Sequence, residues 1–224
     1  MSIAQTIPFR YRAFVATHRL RRVLATYGAS AIACAFSGGN DALVVLHLLK
    51  TLAGGRVPCK VIRVATDVDF PELTAFADEL SVRWTLDIIL AREDDIAAHL
   101  RSAADPFAYY ADRKRKAIAR AMAEHGLRVL LSGERREEPI IGTPLPGPLP
   151  YCAIRPLWNW RSADVWRYLQ RHELPYCTLY DQGYRRAAGI PCLDGARPGD
   201  STIVADDTAA RRAIEERLRG LGYF

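Results

Sequence analysis

The sequence predicts an α/β fold: a parallel, doubly covered sheet of about five strands, followed by a helical and irregular C-terminal segment. Three observations predict it. Short apolar runs recur without period-2 polarity, they alternate with stretches at helical spacing, and the first run hands over to a helix through Ser37-Gly38-Gly39-Asn40-Asp41. A run that is apolar on both faces suits a strand covered from both sides. Strands that alternate with helices pair in parallel.

Along the chain, residues 11–27 place Phe14, Val15, Leu20, Val23 and Leu24 among arginines, the pattern of an amphipathic helix. Residues 31–36 are the first buried strand, and 41–52 are a helix with Gly54-Gly55 just beyond its end. Residues 59–65 form a second strand that stops at Thr66-Asp67. Pro71-Glu72 opens a helix running to Leu80, with proline at a permitted first-turn position. A third strand over 83–90, helices over 94–102 and 110–125, and a strand over 128–132 follow; Gly126 closes the longer helix. Residues 139–150 hold five prolines and two glycines, a rigid irregular loop. Beyond it come an edge strand over 154–157, a helix over 162–171 with Ser162 as N-cap, a Gly/Pro/Arg/Asp-rich loop over 181–207 and a last helix over 208–219. The expected organisation is a nucleotide-binding domain over 1–180, its N-terminal helix within 1–28, and a flexible C-terminal loop and helix over 181–224.

Half of the 224 residues are hydrophobic and a quarter are charged, an ordinary globular mixture. No apolar run reaches the ~18 residues of a membrane span, and the first residues lack a signal-peptide core, so a cytoplasmic location is expected. The five cysteines, Cys34, Cys59, Cys152, Cys177 and Cys192, are irregularly spaced and include no Cys-x-x-Cys. That excludes a disulfide framework and gives no local zinc or iron–sulfur signature. The net charge of +6 favours anionic ligands; nucleic acid is the weaker reading, because the basic residues are spread out. Homo-oligomerisation stays open.

The chemistry concentrates at Ser37-Gly38-Gly39-Asn40-Asp41, where a strand's carboxyl end meets a helix start. Ligands of open α/β sheets sit in that crevice. Two glycines let the backbone approach a phosphate, the helix start adds its positive end, and Ser37 can donate a hydroxyl. G-x-G-x-x-G and G-x-x-x-x-G-K-[ST] loops are both absent. A plain strand-to-helix turn is the structural alternative. Asp41, so close to a phosphate, calls either for a bridging Mg²⁺ or for a role as helix cap. Asp67 and Glu72 are open between hydrogen-bonding adenosine and capping a helix. His47, His99 and His125 have no partner at metal spacing and are expected to be structural.

Four ordered segments carry a family resemblance. Phe36-Ser37-Gly38-Gly39-Asn40-Asp41-Ala42 resembles the S-G-G-K-D-S loop of PP-loop ATP pyrophosphatases. Thr66-Asp67-Val68-Asp69-Phe70-Pro71-Glu72 is similar to the D-T-G-x-x-F-P-E-T stretch of the phosphoadenosine-phosphosulfate (PAPS) reductase branch, and Ser132-Gly133-Glu134-Arg135 to its G-x-R segment. The run from Ile154-Arg155-Pro156-Leu157 through Asp164-Val165-Trp166 to Leu179-Tyr180-Asp181-Gln182-Gly183-Tyr184 resembles the family's I-x-P-L … D-V-W … L-Y-x-Q-G-Y block. The resemblance implies an adenine-nucleotide α-hydrolase-like fold and a site for ATP, adenylyl sulfate or PAPS. It implies action at the α-phosphate or attached sulfate, in sulfur metabolism or sulfur transfer, with a thiol donor or sulfur-carrier protein as partner. On it, the residues expected at the phosphates are Ser37, Gly38, Gly39, Asn40, Asp41, Asp67, Arg113, Lys114, Gly133, Arg135, Arg155, Arg185 and Arg186.

Three departures bear on mechanism. The pyrophosphatase lysine is Asn40 here and the following serine is Ala42, which removes a charge from the loop. Cluster-bearing reductases carry Cys-Cys where this chain has Tyr109-Tyr110, and Gly-Cys-x-Pro-Cys where it has Ala188-Gly189-Ile190-Pro191-Cys192, so no iron–sulfur cluster is expected. No Glu-Cys-Gly tail follows, leaving Cys192, after two arginines, as the candidate nucleophile. Catalysis is therefore assigned to Asp41 and Cys192, in an adenylating enzyme or a sulfonucleotide reductase. The alternative is a catalytically weakened nucleotide-binding subunit of a sulfur-transfer or nucleic-acid-modifying complex.

Overall fold

A computed structural model describes residues 8–100, 102–104, 106–136 and 149–182. The helix expected over 208–219, most of the proline-rich loop and the division of a tail from 181 onward lie outside the described residues. The elements are α1 (Phe9–Tyr27), β1 (Ile32–Ala35), α2 (Asn40–Leu52), β2 (Lys60–Thr66), α3 (Pro71–Arg83), β3 (Ile88–Glu93), α4 (Ile96–Leu100), α5 (Pro106–Glu124), β4 (Val129–Leu131), β5 (Cys152–Ile154) and α6 (Ser162–Arg171). The strands form one five-stranded sheet in the order β3-β2-β1-β4-β5, with every pairing parallel.

Alternation along each strand assigns the two faces. Ile32 and Cys34 of β1, Val61 of β2, and Val129 and Leu131 of β4 pack with α1, α2, α6 and the Ala77–Leu80–Trp84 side of α3. Ala33, Ile62, Ile89 and Leu130 point the other way, onto Ala121 and Met122 of α5. Both faces are covered, which is why β1 and β4 are apolar throughout. The outer strand β3 shows mixed burial, and Leu90 is exposed.

Several boundaries differ from the sequence expectation: the edge strand expected over 154–157 lies at Cys152–Ile154, since Pro156 has no N–H to give a ladder, and the end of α3 and the cap of α6 differ for reasons of packing and capping. The helix α3 continues to Arg83, and the strand expected from 83 begins at Ile88. Leu73, Ala77, Leu80 and Trp84 are buried at helical spacing, while Val82, the residue with the strand-like side chain, is 82% exposed. The helix α6 does begin at Ser162, but its N-cap is Arg161. Asp164 closes that end by accepting a 2.9 Å hydrogen bond from the Arg161 backbone N–H, so Ser162 is not the cap. Asp164 also holds the buried guanidinium of Arg12, tying α6 to α1.

Candidate functional site

The chain crosses from β3 back to β4 on the opposite side of β1, so the strand order reverses between β1 and β4. A crevice opens there at the carboxyl ends of the two strands. The segment 36–39 leaves β1 and starts α2; Ser132, Gly133, Glu134 and Arg135 leave β4.

Two glycines in this crevice are dictated by space. Gly38 has φ +88°, and a Cβ there would lie 2.7 Å from Leu73 Cδ1 and 3.0 Å from the Leu73 carbonyl oxygen. A Cβ on Gly133 would stand 2.6 Å from both the Ala42 nitrogen and the Asp41 carbonyl carbon. The β4 loop therefore lies directly against the first turn of α2, and only glycine permits it.

Asn40 and Asp41 are the first two residues of α2, whose N-cap is Gly39, and no side chain caps that end. Asp41 thus does not act as the cap. Its Oδ1 forms an ion pair with the buried Arg135 guanidinium, 2.6 Å from Nε, a charge contact that holds the β4 loop to the β1 loop. The Asn40 backbone N–H donates to the Tyr180 hydroxyl at 3.3 Å. The Asn40 side chain is 3% exposed, and among the described residues neither its Nδ2 nor its Oδ1 has a hydrogen-bond partner. Such a group costs about 1–3 kcal/mol unless something else meets it.

The structure brings Ser37, Gly38, Gly39, Asn40, Asp41, Gly133 and Arg135 together. Arg155 flanks them: its Nε donates to Glu134 at 2.5 Å, and both side chains are exposed. Asp67, Arg113 and Lys114 gather in a second cluster at the ends of β2 and β3. Both Asp67 oxygens accept backbone amides at the start of α4, from Ile96 at 3.2 Å and Ala97 at 3.1 Å, so this carboxylate does cap a helix, though not the one that follows it in sequence. Lys114 reaches Asp69 at 3.3 Å and lies over the Tyr110 ring, its pKa lowered by burial against the opposing pull of Asp69. Arg113 and Arg120 both grip the buried Glu93 carboxylate at 2.6 Å. Arg185, Arg186 and Cys192 lie outside the described residues.

Sequence reasoning missed Tyr180, Leu73, Asp69 and Glu93 as site neighbours. Tyr180 stands in the Leu179-Tyr180-Asp181-Gln182 motif, which was the signal for it; Glu93 sits in the run Arg92-Glu93-Asp94-Asp95, which reads as a solvated surface. Tyr110 is buried and donates its hydroxyl to Asp69 at 2.9 Å; burial first, then the Asp69 charge, raises its pKa. As for a metal, the loop offers the single carboxylate of Asp41, already paired with Arg135. Among the described residues no group of three or more His, Cys, Asp or Glu could hold an ion. The donor set suits an anion better than Mg²⁺.

The family model described as the phosphoadenosine phosphosulfate reductase domain matches residues 31–194, which span the crevice, the sheet and the block after β5. The chain belongs to the phosphoadenosine phosphosulfate reductase family. Among curated relatives of this reductase family, the phosphoadenosine 5'-phosphosulfate reductase of Xanthomonas oryzae pv. oryzae (strain PXO99A) is 33% identical over 174 residues, covering 70% of this chain and 69% of the relative. The adenosine 5'-phosphosulfate reductase of Salinibacter ruber is 27% identical over 181 residues, covering 72% and 67%. The fold of this reductase-family chain is similar to that of the phosphoadenylyl-sulfate reductase from Candida auris, crystallised as a phosphate complex. The TM-score is 0.59 at 20% identity, covering 81% of this chain and 92% of that one.

Proposed function

We propose that this reductase-family enzyme binds a sulfonucleotide, adenylyl sulfate or its 3'-phosphorylated form, in the β1–β4 crevice and acts at the sulfate attached to its α-phosphate. The observation that carries the reading is the Asn40 carboxamide, buried at the start of α2 with no hydrogen-bond partner among the described residues. An oxygen of the bound nucleotide supplies the missing acceptor. The α2 N-terminus adds its positive end, and the glycines at 38 and 133 give backbone access. The Arg135–Asp41 pair keeps the two loops in register. The family, and relatives that are reductases of phosphoadenylyl and adenylyl sulfate, support a sulfonucleotide over ATP.

The chemistry proposed for Cys192 follows from its being a thiol after two arginines, whose charge favours the thiolate. The thiolate attacks the sulfonyl sulfur, a Cys–S bond forms and the S–O bond to the α-phosphate breaks, with the nucleotide leaving as its phosphate. One thiolate of a dithiol donor then attacks the cysteine sulfur and sulfite leaves with the bonding pair; the donor's second thiolate attacks its own sulfur in the mixed disulfide, which frees the cysteine thiolate and leaves the donor as a disulfide. The position of Tyr109-Tyr110 supports a route without an iron–sulfur cluster, because the Tyr110 ring and hydroxyl are committed to Lys114 and Asp69. The test is sulfite release from each sulfonucleotide with a dithiol reductant. The purified chain is expected to release sulfite, and Cys192→Ser to lose it while still binding nucleotide. Full sulfite release by the serine variant would overturn the cysteine chemistry.

A further inference from the structure

The outer face of α1 has no role in the crevice. Ala16, Leu20 and Val23 pack this helix into the core shared with α2 and α6, and Arg12 is held by Asp164. The helix carries five arginines and no acidic residue. Arg10, Arg21 and Arg22 are exposed and have no acidic partner among the described residues. Between them stand Tyr11, 56% exposed, and Phe14, 63% exposed. Phe14 and His18, one turn apart, hold their rings nearly parallel, with centroids 6.1 Å apart and planes inclined by 16°.

From these features we infer that the outer face of α1 binds single-stranded nucleic acid. Three exposed guanidinium groups without an acidic partner among the described residues, on an acid-free helix, match a phosphate backbone in charge. The rings supply the other half of recognition, since an unpaired base stacks on any exposed π-face and an arginine plane can join it. Tyr11 to Arg22 spans about 16 Å of helix, enough for several nucleotides. An acidic protein segment would match the charge equally, but it would want aliphatic anchors, and the exposed large groups on this face are flat rings and guanidinium groups. A duplex would leave the rings without a base to stack on.

The test uses the full chain and a fluorescein-labelled oligo(dT) strand, followed by anisotropy at low and moderate salt. Saturable binding that weakens with salt is expected, and excess ATP or adenylyl sulfate does not displace the strand, because the crevice lies elsewhere. Phe14→Ala weakens binding about tenfold, the loss of one stacked base, and Arg21→Glu with Arg22→Glu flattens the salt dependence. Both variants change exposed positions, so an unaltered thermal melt serves as the folding control. The inference is overturned by no binding at low salt, by binding that both variants retain, by displacement with the nucleotide, or by poly-glutamate competing as well as the strand. The last result would assign the face to an acidic protein.

Discussion

At Gly133 the backbone of the β4 loop touches the backbone of α2, with no room for a methyl group. Gly133→Ala is expected to cost about 1–3 kcal/mol of stability, the range for forcing extra volume into a packed site, and to weaken nucleotide binding with it. A melt that does not move would show that the two loops can part. Asn40 makes the opposite forecast. Its buried amide has no hydrogen-bond partner among the described residues, so Asn40→Ala removes a liability from the free protein: the Tm should hold or rise, while sulfonucleotide affinity drops about tenfold. Parallel losses of Tm and affinity would mean the amide serves only the fold.

At the scale of elements, α2 is fixed to α6 by a ring cluster. His47 Nδ1 lies 2.9 Å from the Tyr168 hydroxyl, and its ring stands 5.1 Å from that of His172. Burial, and then the neighbouring His172 and Lys50, bring the His47 pKa down from 6.5 to about 4. Between those values the unfolded chain binds more protons than the folded one, so stability rises with pH across the window. The contribution is complete above pH 6.5 and is lost as pH falls toward 4. In His47→Gln, the acid limb of a Tm-versus-pH curve should therefore be shallower; an unchanged limb would show that His47 does not shape it. The elements themselves were largely legible in the sequence, because β1 and β4 are short runs apolar on both faces, and β2 departs from that pattern inside the sheet only at Arg63, which Asp78 neutralises. The end of α3 was not. Val82 and Trp84 favour a strand by type, and only packing shows that Trp84 continues the buried stripe of the helix while Val82 faces solvent.

For the molecule as a whole, the strand reversal between β1 and β4 places residues 37–41 beside 133–135, though some ninety positions of chain separate them. The glycine loop is plain in the sequence as a motif. Its pairing with Arg135 is not, since Asp41 reads equally well as a metal ligand or a cap, and only topology brings the guanidinium to it. Asp67 and Arg113 were legible as motif positions, but their backbone-amide and carboxylate partners come from elements distant in sequence. The central claim is that the β1–β4 crevice holds the nucleotide. Its most direct test is calorimetric titration of the full chain, wild type and Asn40→Ala, with adenylyl sulfate, its 3'-phosphorylated form and ATP. Saturable binding of a sulfonucleotide, tighter than ATP and weakened in the variant, is the predicted result; indifference to all three, or equal binding by both proteins, would contradict it.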